Sequence, residues 1–315
     1  MTLTRGARIT VVVLSAVLTL IVAGWIARDL ATPLTPLELW RLWSSAAPAP
    51  IPTPAQTTGF EQLLLLTVYG ALLAAALRPG LTAAAPAAVG AITLALWLPG
   101  LWVLSSSWAG LRVTDELRTQ GLCTSLAALA LGVGLLLTAA TARRTGPTGP
   151  TGPNGPGRRM PVAASMLLGA SAGVLAGWEI RSAVLRPAAY PDRFTGGEPL
   201  LPLLAVPPGW LTAVTVLLSA VSALAALRPP ALIAAVFVLG AGVRGADTAL
   251  RAGLLPRFAE LPPGDRLLMG SWAFEALAGA AVLLLLTLGR APAPEPRPAP
   301  PVPGPPPPAS RPPGW

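Results

Sequence analysis

The chain has no histidine, no lysine and a single cysteine, and only 11% of its 315 residues carry charge. Each shortage removes a class of function. Without histidine there is no Ser-His or Cys-His nucleophile pair, no HExxH metalloprotease, and no histidine-ligated haem or zinc. With Cys123 alone, an internal disulfide and any multi-cysteine metal site are excluded. Ordinary soluble domains carry roughly 25% charged residues. So few charges leave a soluble surface of this size uncovered, whereas lipid requires none. There is also no phosphate-cradling loop and no aspartate-rich diphosphate motif. No cofactor, metal or enzymatic activity is therefore expected.

What is present is apolar. Hydrophobic residues make up 53% of the chain. They fall into eight stretches of spanning length, at 9–27, 60–77, 81–104, 121–142, 160–180, 209–227, 230–250 and 267–288. The expected fold is all-α, a polytopic membrane protein with eight transmembrane helices. The first run follows a basic leader, as a signal peptide would. It is read as a span, because it is 19 residues long and no small-x-small cleavage site follows. All 22 basic residues are arginine and the net charge is +9. That excess implies no nucleic acid, since arginines flanking spans are expected on topological grounds. The expected partners are the bilayer and other membrane or envelope proteins. No small-molecule substrate can be named from the sequence.

A polar segment at 143–159 divides two similar halves. It holds four Gly-X-Y triplets from Gly146 to Gly157, between Arg143-Arg144 and Arg158-Arg159. Four triplets are too few for a collagen helix, so a polyproline-II-like connector is expected. Landmarks recur on either side. Ala23-Gly24-Trp25 and Arg28 match Ala176-Gly177-Trp178 and Arg181, and Leu77-Arg78-Pro79 matches Leu227-Arg228-Pro229. Leu135 to Thr138 matches Leu284 to Thr287. Residues 1–142 and 160–289 are accordingly read as tandem four-span repeats. Because four is even, both enter from one side and the repeats are parallel. Residues 290–315, dense in proline, read as a disordered tail.

Folding the spans gathers nine of the ten tryptophans, every acidic residue except Glu295, and the long loops at one face. An anchoring belt would occupy both interfaces, so the tryptophan-rich face is expected to be the working face. The paired arginines beside spans four and five place the connector and both termini in the cytoplasm, with the working face outside.

Two constellations carry polar chemistry. The repeated Trp-x-x-Arg puts Arg28 and Arg181 beside an interfacial tryptophan. They are either a pseudo-symmetric pair for an anionic group or ordinary snorkelling arginines. The second is Arg244, Asp247 and Arg251 on span seven, with Glu275 on span eight, flanked by Gly240, Gly242 and Gly245. The first half has Leu94, Trp97 and Leu126 at the corresponding positions. Arg244 and Glu275 are expected to pair across the two spans, either as part of a site or as a clamp. Glu179, Asp247 and Glu275 are the carboxylates at membrane depth, and such residues are functional candidates by default. The expected function is transport, with a charged substrate-binding site near the outer face formed from Arg244, Asp247, Glu275, Glu179, Arg28 and Arg181. The alternative is an envelope scaffold subunit that binds partners through its loops and tail.

Overall fold

A computed structural model describes residues 3–32, 35–44, 56–78, 80–106, 113–141, 160–196 and 202–288. The connector at 143–159, Trp108 and the proline-rich tail at 290–315 lie outside the described residues. The protein is all-helical, and no strand occurs among the described residues. In chain order the helices are α1 (Arg5–Leu30), α2 (Pro36–Ser44), α3 (Phe60–Leu77), α4 (Ala84–Trp97), α5 (Pro99–Val103), α6 (Asp115–Thr141), α7 (Val162–Leu185), α8 (Asp192–Thr195), α9 (Pro208–Ala225), α10 (Arg228–Arg251) and α11 (Pro263–Leu288). A 3-10 turn at Phe258–Glu260 precedes α11. Eight of these units are long and apolar enough to cross a membrane, with α4 and α5 together making the third.

The ends of the spans follow local chemistry that hydropathy does not register. α1 starts at Arg5 rather than Ile9, because the Thr4 hydroxyl accepts from the Ala7 amide and caps it. α6 reaches back to Asp115 through what reads as loop, with Asp115 and Glu116 at the positive end of the helix dipole. The third span is not one helix. Pro86 sits in the first turn of α4, where its missing N–H costs nothing, and Pro99 starts α5 after a break at Leu98.

α2 lies in the stretch that sequence reading leaves as a loop. Its start is a capping box. The Thr35 amide donates to Glu38 Oε2 at 2.7 Å, and the Glu38 amide donates to Thr35 Oγ1 at 3.2 Å. The hydrogen bond from the Thr35 backbone holds the exposed Glu38 carboxyl below the ordinary glutamate range.

The spans pack as two groups of four. α1 lies against α3 and α6, and α4 lies against α6; likewise α7 lies against α9 and α11, and α10 against α11. Between the groups, α10 packs on α4 and α3, and α9 packs on α4. The spanning windows of α3 and α10 are 50% buried and that of α4 with α5 is 44%, against 22% for α1, α7 and α9, so the first three are central and the last three are rim. Glycine sets the closest approach. A Cβ at Gly242 or Gly245 would collide with Ala276 or Trp272 of α11, and one at Gly240 would meet Leu64 of α3 at 2.8 Å. The glycines flanking the charged stripe therefore serve two different neighbours.

Candidate functional site

Four carboxylates gather where spans meet the tryptophan-rich face, and all four are engaged. Asp29 ends α1 and is 1% exposed. It accepts from the amides of Thr57 (3.2 Å) and Thr58 (2.8 Å), from both their hydroxyls (2.6 Å each), and from Arg28 Nη1 at 3.2 Å. Glu61, in the first turn of α3, accepts from the Val206 amide at 2.9 Å and feels the charge of Arg244. Glu179 pairs with Arg193 of α8 at 2.7 Å. Asp247 pairs with Arg251 at 2.8 Å and accepts from the Trp40 indole at 3.4 Å.

The loops that these groups hold are also knitted to each other across the two halves. Leu203 N donates to Gln56 O at 3.1 Å, and Leu204 N to Thr57 O at 2.9 Å. Gln62 takes the Gly59 amide on its oxygen at 2.7 Å and gives its nitrogen to Leu204 O at 2.8 Å. The result is a cap of hydrogen-bonded backbone that ties the two halves together at this face.

Six indoles bond within the protein, two of them to the groups above and four between spans. Trp25 donates to Thr124, Trp40 to Asp247, Trp43 to Thr58 O, Trp97 to Tyr69, Trp178 to Ser271, and Trp210 to Ala95 O. Their crowding at one face thus has an internal cause: these N–H groups are satisfied within the protein.

The expected site residues do not converge. Arg28 lies over Trp25 with Cζ 5.8 Å from the ring, and Arg181 over Trp178 at 5.1 Å, each within its own group of four. Arg28 also pairs with Asp29 at 3.2 Å, so the two arginines serve separate local contacts rather than one shared site. Arg244 and Glu275 form no ion pair, which corrects the expected pairing. Helix periodicity gives the reason. The side of α10 against α11 is Gly242 and Gly245, and Arg244 lies on the opposite side, which Gly240 turns toward Leu64 and Phe60 of α3. On α11 the side facing α10 is Trp272 and Ala276, while Glu275 follows Ser271, whose hydroxyl takes the Trp178 indole of α7.

Glu275 is left buried, 2% exposed, with no hydrogen bond or ion pair among the described residues. It stands 12 residues into the 26-residue α11, about 18 Å along the axis and close to mid-helix. Sequence reading missed Asp29, Glu61 and the Thr57-Thr58 pair. Asp29 was legible only as a residue leaving the membrane, since nothing in one sequence brings Thr57 to it. The Gln62 cap was available from its spacing to Gly59.

No family model matches the chain, and no curated protein or solved structure does either.

Proposed function

We propose that the chain is a permease-like, non-enzymatic protein of the cytoplasmic membrane in which Glu275 is the coupling acid. Its isolation carries the reading. Asp29, Glu61, Glu179 and Asp247 are each matched by donors or cations, and Asp115 and Asp265 are exposed, whereas Glu275 is buried near mid-helix with no partner among the described residues. An unpaired ionised side chain at that depth costs on the order of 2.5–3.5 kcal/mol. A group kept there at such a cost is suited to taking up and releasing a proton as a substrate passes. The working site accordingly moves from the outer face to the interior of the second group of spans.

The architecture that goes with this reading is a tandem duplication with a pseudo-two-fold axis along the membrane normal. Its support is that both halves repeat one packing pattern, and that Trp25 and Trp178 each tie the first span of a half to a hydroxyl on its fourth. The arginine pairs flanking the connector favour cytoplasmic termini and an outer cap. On this reading the cap hydrogen bonds favour a state closed to the outside.

The test needs no known substrate. Proteoliposomes on a solid-supported membrane are challenged with amino acids, sugars, organic cations and organic anions. The natural protein is expected to give transient currents with one of these classes, and Glu275→Gln none. Currents that persist in Glu275→Gln remove Glu275 from coupling. Silence with every class favours the second reading, a scaffold subunit. The observation behind that reading is the cap itself, where Leu203, Leu204 and Val206 of one half are bonded to Gln56, Thr57 and Glu61 of the other.

A further inference from the structure

The helix diagonal to Glu275 carries a polar stripe that its own backbone only partly satisfies. α9 buries Thr215, Ser219 and Ser222, spaced i, i+4 and i+7, while Leu217, Val221 and Leu224 are exposed on its lipid side. Serine and threonine inside helices ordinarily bond to the carbonyl one turn back. Ser15, Ser171 and Thr215 do so at 2.7, 2.9 and 2.8 Å. Ser219 Oγ and Ser222 Oγ, both on residues that are 0% exposed, have no hydrogen-bond partner. A buried hydroxyl left unmatched costs about 1–3 kcal/mol, and ordered water is the usual remedy in a polar interior.

Depths can be compared through the contacts that fix register. The turn at 226–227 joins α9 to α10, so Ser222, Ser219 and Thr215 stand ~5, ~9 and ~15 Å above it by the helical rise. The close approach of Gly242 to Ala276 puts Glu275 level with Val243, ~22 Å above the same turn by the same rise. The stripe thus climbs from the face opposite the cap and ends ~7 Å below the level of Glu275 by the same rise. Beyond Glu275 the way is shut by the Trp178–Ser271 hydrogen bond and by Trp272 packed on Gly245.

Resting on the reading of Glu275 as a working acid, we propose that Ser222, Ser219 and Thr215 line a water-filled route that delivers protons to Glu275 from the connector side alone. Among the described residues, the charged groups on the flanking helices are engaged elsewhere or lie at the helix ends. On α7, Arg181 covers Trp178 and Glu179 holds Arg193; on α10, Arg244 lies on the helix side that Gly240 turns to α3, Asp247 pairs with Arg251, and Arg228 donates to Leu286 O. On α11 itself, Asp265 and Arg266 lie in the first turn, more than two turns from Glu275.

Two probes test this in membrane vesicles of each orientation. Dicyclohexylcarbodiimide adds a protonated carboxyl across its C=N bond, and the acylurea adduct is read at Glu275 by mass spectrometry. Ser219→Cys and Ser222→Cys, made in Cys123→Ser, are treated with a small charged methanethiosulfonate; Ser→Cys is nearly isosteric, and a gel-filtration profile checks assembly. The expected result is a Glu275 adduct, with both cysteines reacting faster from the connector side and Ser222→Cys faster than Ser219→Cys. An adduct with inert cysteines, or equal reaction from both faces, overturns the route but leaves Glu275 as the working acid. No adduct and no cysteine reaction overturns both.

Discussion

Asp29 holds Thr58 twice, through the backbone amide at 2.8 Å and through the hydroxyl at 2.6 Å. The same carboxylate holds Thr57 in the same way, so one side chain at the end of α1 sets the path of the chain into α3. Trp43 then bonds to the carbonyl of Thr58 at 2.9 Å, which brings α2 into the same assembly. Asp29→Asn removes the charge and replaces one acceptor oxygen with a donor. Hydrogen bonds to charged groups contribute about 1.5–3 kcal/mol, so a loss of about 3 kcal/mol is expected. It is read as a fall in melting temperature in detergent with a red shift of tryptophan emission. A variant as stable as the natural protein would mean that the cap does not depend on Asp29.

Arg244 and Glu61 are expected to be coupled, in place of Arg244 and Glu275. Arg244→Leu leaves Glu61 with its backbone donors but without the nearby cation. A double-mutant cycle with Glu61→Gln should give an interaction energy of about 1 kcal/mol, whereas the cycle of Arg244→Leu with Glu275→Leu should be additive within ~0.5 kcal/mol. A reversed pattern would restore the Arg244–Glu275 pair.

The membrane class and the number of spans were legible because hydrocarbon imposes length and composition on every crossing helix. The glycine contacts of α10 were legible as well, since Gly242 and Gly245 sit three residues apart on one helical side. The pairing of charges was not. Matched depth on consecutive spans suggested Arg244 and Glu275, but depth leaves rotation about the helix axis open, and rotation is set by where Gly242 and Gly245 must go. Register within the repeat was misleading for a similar reason. The Leu-Leu-Leu-Thr match at 135–138 and 284–287 would pair Ser271 with Leu122, yet the hydroxyl that answers Trp25 is Thr124. Apolar runs match each other at several offsets, whereas an indole needs an acceptor at one.

The tight approach of α10 to α11 predicts a graded effect of adding methyl groups. Gly245→Ala would drive a Cβ into the ring of Trp272, and overpacking of this kind costs about 1–3 kcal/mol. Gly270→Ala on α11, where nothing lies within 4 Å, is the control. Thermal melts should show Gly245→Ala destabilised, and Gly270→Ala unchanged or slightly more stable because alanine favours helix. Equal effects at the two positions would mean that the helices are not in contact at Gly245.

The capping box of α2 predicts a response to acid. The folded Glu38 carboxyl is held below its ordinary value by the Thr35 backbone, so its contribution is fully present above the ordinary glutamate range. That contribution is lost as the pH falls through the lower, folded value. Trp40 and Trp43 report on α2, and their emission should shift on acidification in the natural protein. In Glu38→Gln the Glu38 component of the shift should be absent. Identical titrations in the two proteins would show that the capping box does not hold α2.

The orientation proposed for the protein makes the last prediction, and it decides what the cap faces. Arg143-Arg144 and Arg158-Arg159 lie within a few residues of the ends of α6 and α7, where basic residues weigh most in setting topology. The face that carries α8 holds arginines too, but its half-buried Arg193 is tied to Glu179 rather than free at the surface. Thr148→Cys and Thr195→Cys, each in Cys123→Ser, are offered to an impermeant maleimide on intact cells. Thr195→Cys should label at once, and Thr148→Cys only after the membrane is opened. Labelling of Thr148→Cys but not Thr195→Cys on intact cells would turn the protein over. The cap would then face the cytoplasm, and the α9 stripe would draw its protons from outside.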